Sequence, residues 1–150
     1  MHYLRLIRTL IVISIVICCS QNLLADTGTA QKEPAVEKGV GSEQQWGITI
    51  KSVRITAAGH MIDFRYRVID PDKAAMLLRK QSKAYMVDQK TGTQLSVPRT
   101  RIGPLRQTTV KPMPNRDYAM LFTNPMGLVK PGDKVAVVIG DFKAENLTVE

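Results

Sequence analysis

Residues 60–69 read HMIDFRYRVI, with Ile62, Phe64, Tyr66 and Val68 alternating with Asp63, Arg65 and Arg67. Successive side chains of a strand point to opposite faces, so this period of two places one face in a core and the other in water. The preceding run repeats the pattern: Trp46, Ile48 and Ile50 alternate with Gly47, Thr49 and Lys51, and Val53 and Ile55 continue it. Ala57-Ala58-Gly59 separates the two runs and offers a turn. Residues 46–57 and 60–69 are therefore expected to pair as an antiparallel hairpin.

Downstream, Asp70-Pro71 opens a short crossing helix. Asp70 suits the cap and Pro71 the first helical position; Ala74-Ala75-Met76-Leu77-Leu78 follow, with Arg79 and Lys80 expected in the last turn. Strands are expected at 84–87 and 94–97 about a turn at 90–93, then a broken basic loop at 98–104 and a poor strand at 106–111. YAMLFT at 118–123, KVAVVI at 134–139 and residues 142–149 read as further strands, divided by turns at 124–127, 130–133 and Gly140-Asp141. Met76 and Met86 read as core filler. Short strands with regularly spaced turn signals predict an all-β fold, a two-sheet antiparallel sandwich of seven or eight strands; a small closed barrel is the alternative.

Residues 46–69 and, more strongly, 128–149 (LVKPGDKVAVVIGDFKAENLTV) resemble small exported bacterial proteins of uncharacterised activity with an immunoglobulin-like sandwich. The resemblance covers residues 46–150 and implies an immunoglobulin-like fold. Its most recognisable piece is a turn between strands, so it implies no activity and no site residue. The Cys…Trp…Cys spacing of antibody domains is absent.

Upstream of the first strand the chain changes character. Arg5 and Arg8 precede an apolar run at 10–19 (LIVISIVICC), followed by Ser20-Gln21-Asn22 and by Ala25 before Asp26. These are the parts of a secretory signal over residues 1–25. The uncharged run 9–25 also reaches the lower limit for a membrane span, so a retained anchor is one alternative; lipid on Cys18 or Cys19 is another. Residues 26–45, rich in Gly, Thr, Glu, Gln and Lys, read as a flexible tether. The chain of 150 residues thus has room for one modest domain, at 46–150. Signal removal takes both cysteines and leaves His60 as the single histidine. That excludes a disulfide scaffold, a cysteine-ligated zinc or iron–sulfur site, a thiol nucleophile and a histidine-cluster metal site.

Charge is concentrated in one place. Residues 79–116 hold nine basic side chains and one acidic one, Asp88, whereas residues 26–78 balance and residues 117–150 are net acidic. Such a segment faces anions, or else keeps loops and a strand edge soluble. The expected function is an exported, non-enzymatic binding or structural accessory protein of the cell envelope. Its contact with an envelope protein or acidic envelope polymer would run through Lys83, Arg99, Arg101, Arg106, Lys111 and Arg116. Nucleic acid is not an expected partner: the protein is exported, and aromatic side chains that would stack bases are scarce. Once the signal is cleaved, no membrane span is expected.

Catalytic patterns are missing. His60 follows a turn and is expected to face solvent; Asp70 and Asp72 are explained by helix capping, and Asp63 by an ion pair with Arg65. No phosphate loop or calcium loop is present, and no cofactor is expected. The runner-up reading is a soft-metal site, in which Met113, Met120, Met126 and His60 would hold Cu(I) through thioether sulfur.

Overall fold

A computed structural model describes residues 40–150; the expected signal and residues 26–39 of the expected tether lie outside the described residues. In chain order the elements begin with α1 (Val40–Gln45), β1 (Ile48–Thr56), β2 (Met61–Val68), α2 (Pro71–Leu78), β3 (Ala84–Asp88) and β4 (Gln94–Ser96). There follow β5 (Arg99–Thr100), β6 (Gly103–Pro104), β7 (Asp117–Thr123), β8 (Lys134–Ile139) and β9 (Phe142–Thr148).

The alternating run 60–69 forms the centre of a sheet ordered β1-β2-β7, and a second sheet is ordered β4-β3-β8-β9. Every pairing is antiparallel. The fold is therefore mostly β, built from two open sheets, and the closed barrel does not form. Ile62, Phe64, Tyr66 and Val68 are buried, while Asp63, Arg65 and Arg67 occupy the other face. Met86 and Leu95 of the second sheet, with Val135, Val137, Ile139 and Phe142, complete the same core. Tyr66 stands opposite Tyr118 in register, their rings stacked with centroids 6.1 Å apart.

Helix α2 begins as expected: Asp70 accepts from the backbone N–H groups of Asp72 and Lys73, and Pro71 takes the first position. It ends earlier than expected. Arg79 is extended (φ −69°, ψ 138°), so neither Arg79 nor Lys80 lies in the last turn. Ala74, Leu77 and Leu78 face the core, whereas Met76 is 43% exposed and fills no core space. Met86 is buried as expected.

Three further segments depart from the sequence reading. The last six residues of the expected tether form α1, whose Glu43 carboxylate accepts from the Ile50 N–H at 2.8 Å; beside it, Trp46 sets its ring edgewise on Phe142. The loop 98–104 contains the two-residue ribbon β5–β6. Residues 106–111 form no strand beyond a single bridge between Arg106 and Met120. The ladder stops there because the Gln107 side chain, rather than a backbone carbonyl, accepts the Ala119 N–H, and Thr109 N–H turns away to the Leu78 carbonyl.

Gly47 joins α2 to the first sheet. Its carbonyl accepts from the N–H groups of both Ile69 and Asp70, at 2.8 and 2.9 Å. Its φ is +61°, and a Cβ there would stand 2.6 Å from the Asp70 Cβ and 2.8 Å from the Asp70 carbonyl oxygen. Only glycine meets both demands. On the solvent face of the same sheet Arg67 grips Asp117 through two bonds, at 2.6 and 3.0 Å, across directly opposed residues. Arg65 pairs with Asp63 at 2.7 Å, as expected from the sequence.

Gly47→Ala should destabilise the fold by about 3 kcal/mol, combining a left-handed backbone with overpacking against Asp70, as read from denaturant unfolding. The hydrogen bond from Arg67 holds the Asp117 carboxyl below its ordinary 3.8. A depressed carboxyl contributes stability in full above its unfolded value and loses it as pH falls through the lower folded one. Carbon NMR titration should accordingly place the Asp117 midpoint below 3.8 and move it upward in Arg67→Ala; an unmoved midpoint would refute the pairing.

Candidate functional site

The basic segment is organised around the end of α2. The last carbonyls of a helix lack intrahelical partners and carry the negative end of its dipole. No basic residue of α2 itself serves them. Arg106 does, from a segment 24–29 residues away. Its Nη1 donates to the Ser82 carbonyl at 2.6 Å, and its Nη2 donates to the carbonyls of Arg79 (2.7 Å) and Leu77 (3.2 Å). Burial lowers the basicity of this guanidinium, an effect partly offset by the nearby Tyr66, whose own hydroxyl burial pushes well above its usual range. Its Nε is buried without a partner.

Arg106 thus fixes the segment from Leu77 to Ser82, and this segment forms the wall of two grooves. One, of about 540 Å³, is lined by Lys80, Lys83, Arg99 and Arg106 together with Tyr85 and Gln94. The other, of about 700 Å³, is lined by Met76, Arg79, Thr109 and Val110. Gln81 and Ser82 belong to both.

The single carboxylate of the segment takes no part in either groove. Asp88 is 2% exposed, and its oxygens accept from the Thr91 hydroxyl (2.6 Å) and from the N–H groups of Thr91 and Lys90, closing the β3–β4 turn. The surface built by residues 79–116 is therefore cationic without an exposed carboxylate.

The six residues expected to contact an anion fall into three groups. Lys83, Arg99 and Arg106 share the first groove, although the guanidinium of Arg106 is engaged with backbone carbonyls. Arg101 stands exposed at the tip of the β5–β6 ribbon. Lys111 and Arg116 lie on the stretch that runs beside α2, tied at one end by Thr109 N–H to the Leu78 carbonyl and at the other by Asn115 N–H to the Val68 carbonyl. Arg116 rests on the Tyr118 ring at 5.6 Å and reaches the Met113 sulfur at 3.5 Å.

The candidate soft-metal donors do not converge. Met120 is buried in the core from the middle of β7. Met113 precedes that seven-residue strand and Met126 follows it, so a span of about 20 Å separates their positions. His60 lies exposed at the Met126 end, where its carbonyl accepts from the Asn124 N–H. Asn124, 1% exposed, also joins the two turns of that end by bonding Gly59 and Val129, which is a structural task. Among the described residues no three His, Cys, Asp or Glu side chains gather at metal-binding distance.

Sequence reasoning missed the inward roles of Arg106 and Asp88 and the two most exposed apolar side chains of the basic segment, Ile102 (97%) and Val110 (92%). Ile102 and Val110 did carry a signal: each is a lone apolar residue beside a cation, with no partner at a strand period. No family model, curated protein or solved structure matches the chain.

Arg106→Leu should cost about 2 kcal/mol, because hydrogen bonds from a charged donor are lost and carbonyls at the helix end are left unpaired. Arg106→Lys, a point charge without the planar fork, should restore only part of it. Equal stability of the Leu variant and the parent in urea would remove the capping role.

Proposed function

We propose that this chain is an exported, non-enzymatic accessory protein of the bacterial cell envelope that holds an acidic partner or polymer against the face built from residues 79–116. The observation that carries the reading is the sorting of charge within that segment: Asp88 is folded into its own turn, while Lys80, Lys83, Arg99, Arg101 and Lys111 are left on the surface. A groove rimmed by one sign of charge raises the local concentration of opposite charge and steers it inward. Tyr85 and Gln94 add hydrogen-bonding groups to the same groove. Export is supported by the basic start, the apolar run at 10–19 and Ala25. No described helix is long and apolar enough to cross a membrane.

The domain is of the immunoglobulin-like type. Its strand order supports this: the first two strands pair with β7 in one sheet, and β3, β8 and β9 form the other, with β4 added beside β3 as the extra strand of variable-type domains is added. In such folds the work falls to loops and sheet edges. The basic face occupies that kind of position, between edge strand β4, the β5–β6 ribbon and the end of α2.

The test is retention of the full chain on immobilised heparin, used as a generic acidic polymer. The parent should bind at low salt and elute as screening rises, and a Lys83→Glu, Arg99→Glu, Arg101→Glu variant should lose retention at physiological ionic strength. All three side chains are exposed, so the fold should be unaffected. Unchanged retention in the triple variant would overturn the basic-face reading.

A further inference from the structure

Six large apolar side chains are conspicuously exposed among the described residues, and three of them (Ile102, Val110 and Met113) fall in the cationic segment. Ile102 follows Arg101 at the tip of the β5–β6 ribbon, Val110 precedes Lys111, and Met113 lies against Arg116. Met126 shows that exposure alone is not the point. It is 99% exposed at the far end of β7, yet residues 123–129 carry no cation.

The two most exposed apolar tips of the cationic segment stand on either side of a common ridge. Arg99 and Pro104, the ends of the ribbon, line the groove on one side of Gln81 and Ser82, and Val110 lines the groove on the other. Arg106 holds that ridge to the edge of β7 by its bond to the Ser82 carbonyl and its bridge to Met120. Among the described residues neither tip is covered.

An acidic polysaccharide would engage the cations and leave both tips in water. An anionic phospholipid surface matches both parts: its head groups face Lys and Arg while its acyl region receives apolar side chains that project beyond them. We propose that residues 99–116 form a lipid-docking face, with Ile102 and Val110 entering the acyl boundary and Arg99, Arg101 and Lys111 at the head-group level. This rests on the basic-face reading above and names its acidic partner as an anionic lipid surface.

The test reads position 102 itself. In the full chain, Ile102→Trp adds a second tryptophan to Trp46, which serves as the internal reference in the parent. With vesicles of mixed phosphatidylglycerol and phosphatidylcholine, the variant should gain a blue-shifted emission component that brominated acyl chains quench. The component should be absent on pure phosphatidylcholine and abolished by about 0.5 M salt. Adding Val110→Glu or Arg101→Glu should reduce the quenching several-fold; both sites are exposed, so the fold is spared. Because the signal is local, an N-terminal apolar segment that binds every vesicle alike cannot produce its dependence on lipid charge. No quenching on phosphatidylglycerol, or equal quenching on both vesicle types, overturns the proposal. If heparin retention survives that result, lipid docking alone falls, and an acidic polymer or protein is the partner; if retention is absent too, the basic-face reading falls with it.

Discussion

Arg106 stands where three parts of the chain meet: the end of α2, the turn into β3 and the edge of β7. A helix of eight residues that stops without a basic residue in its last turn leaves carbonyls exposed to a hydrophobic interior on one side and water on the other. One planar guanidinium answers three carbonyls at once, which a lysine ammonium on its flexible stem does less well. The wall shared by the two grooves consequently has a fixed position. Without that clamp, Leu77–Ser82 would be an ordinary connection, and the cations on either side would have no common frame.

The same segment shows how charge can be separated by folding. Asp88 and Arg106 are both ionisable, and both are directed inward to backbone partners. Buried charge is costly unless it is hydrogen-bonded; Asp88 meets that condition at both oxygens and Arg106 at its two Nη groups, while its Nε is left without a partner. Removing one acid and one base from the surface leaves the formal balance unchanged, but it clears the last carboxylate from the cationic face. On the outer face of the first sheet the opposite arrangement holds. Arg65 and Arg67 are matched there by Asp63 and Asp117, so these charges are paired on the surface.

Polar clamps of the same kind close the far end of the molecule. Asn124 ties the β1–β2 turn to the turn before Val129, while Gly47 ties α2 to the first sheet. Loops otherwise free to shift are thereby fixed to the sheets.

Period-two alternation at 46–55 and 60–69 determined the central hairpin, because only one strand face could be hidden from water. Asp70-Pro71 determined where α2 begins, since a cap and a preset φ act within three residues. The chemistry of the side chains also determined that residues 79–116 are cationic. What local pattern could not supply was partnership across the chain. The last carbonyls of α2 are met from far along the sequence, Leu77 by Arg106 and Leu78 by Thr109, and the failed strand at 106–111 depended on Gln107 substituting its side chain for backbone. The short α1 at the end of the expected tether is held by Glu43 bonding Ile50, and a compositional reading sees neither residue's partner. Met76 and Met86 have the same chemistry and opposite burial, because burial belongs to the packed neighbours and not to the residue. The grouping of Lys83 with Arg99, the separation of Met113 from Met126, and the exposure of Ile102 and Val110 were likewise decided by tertiary structure, since each is a distance or a surface that exists only once the sheets have paired.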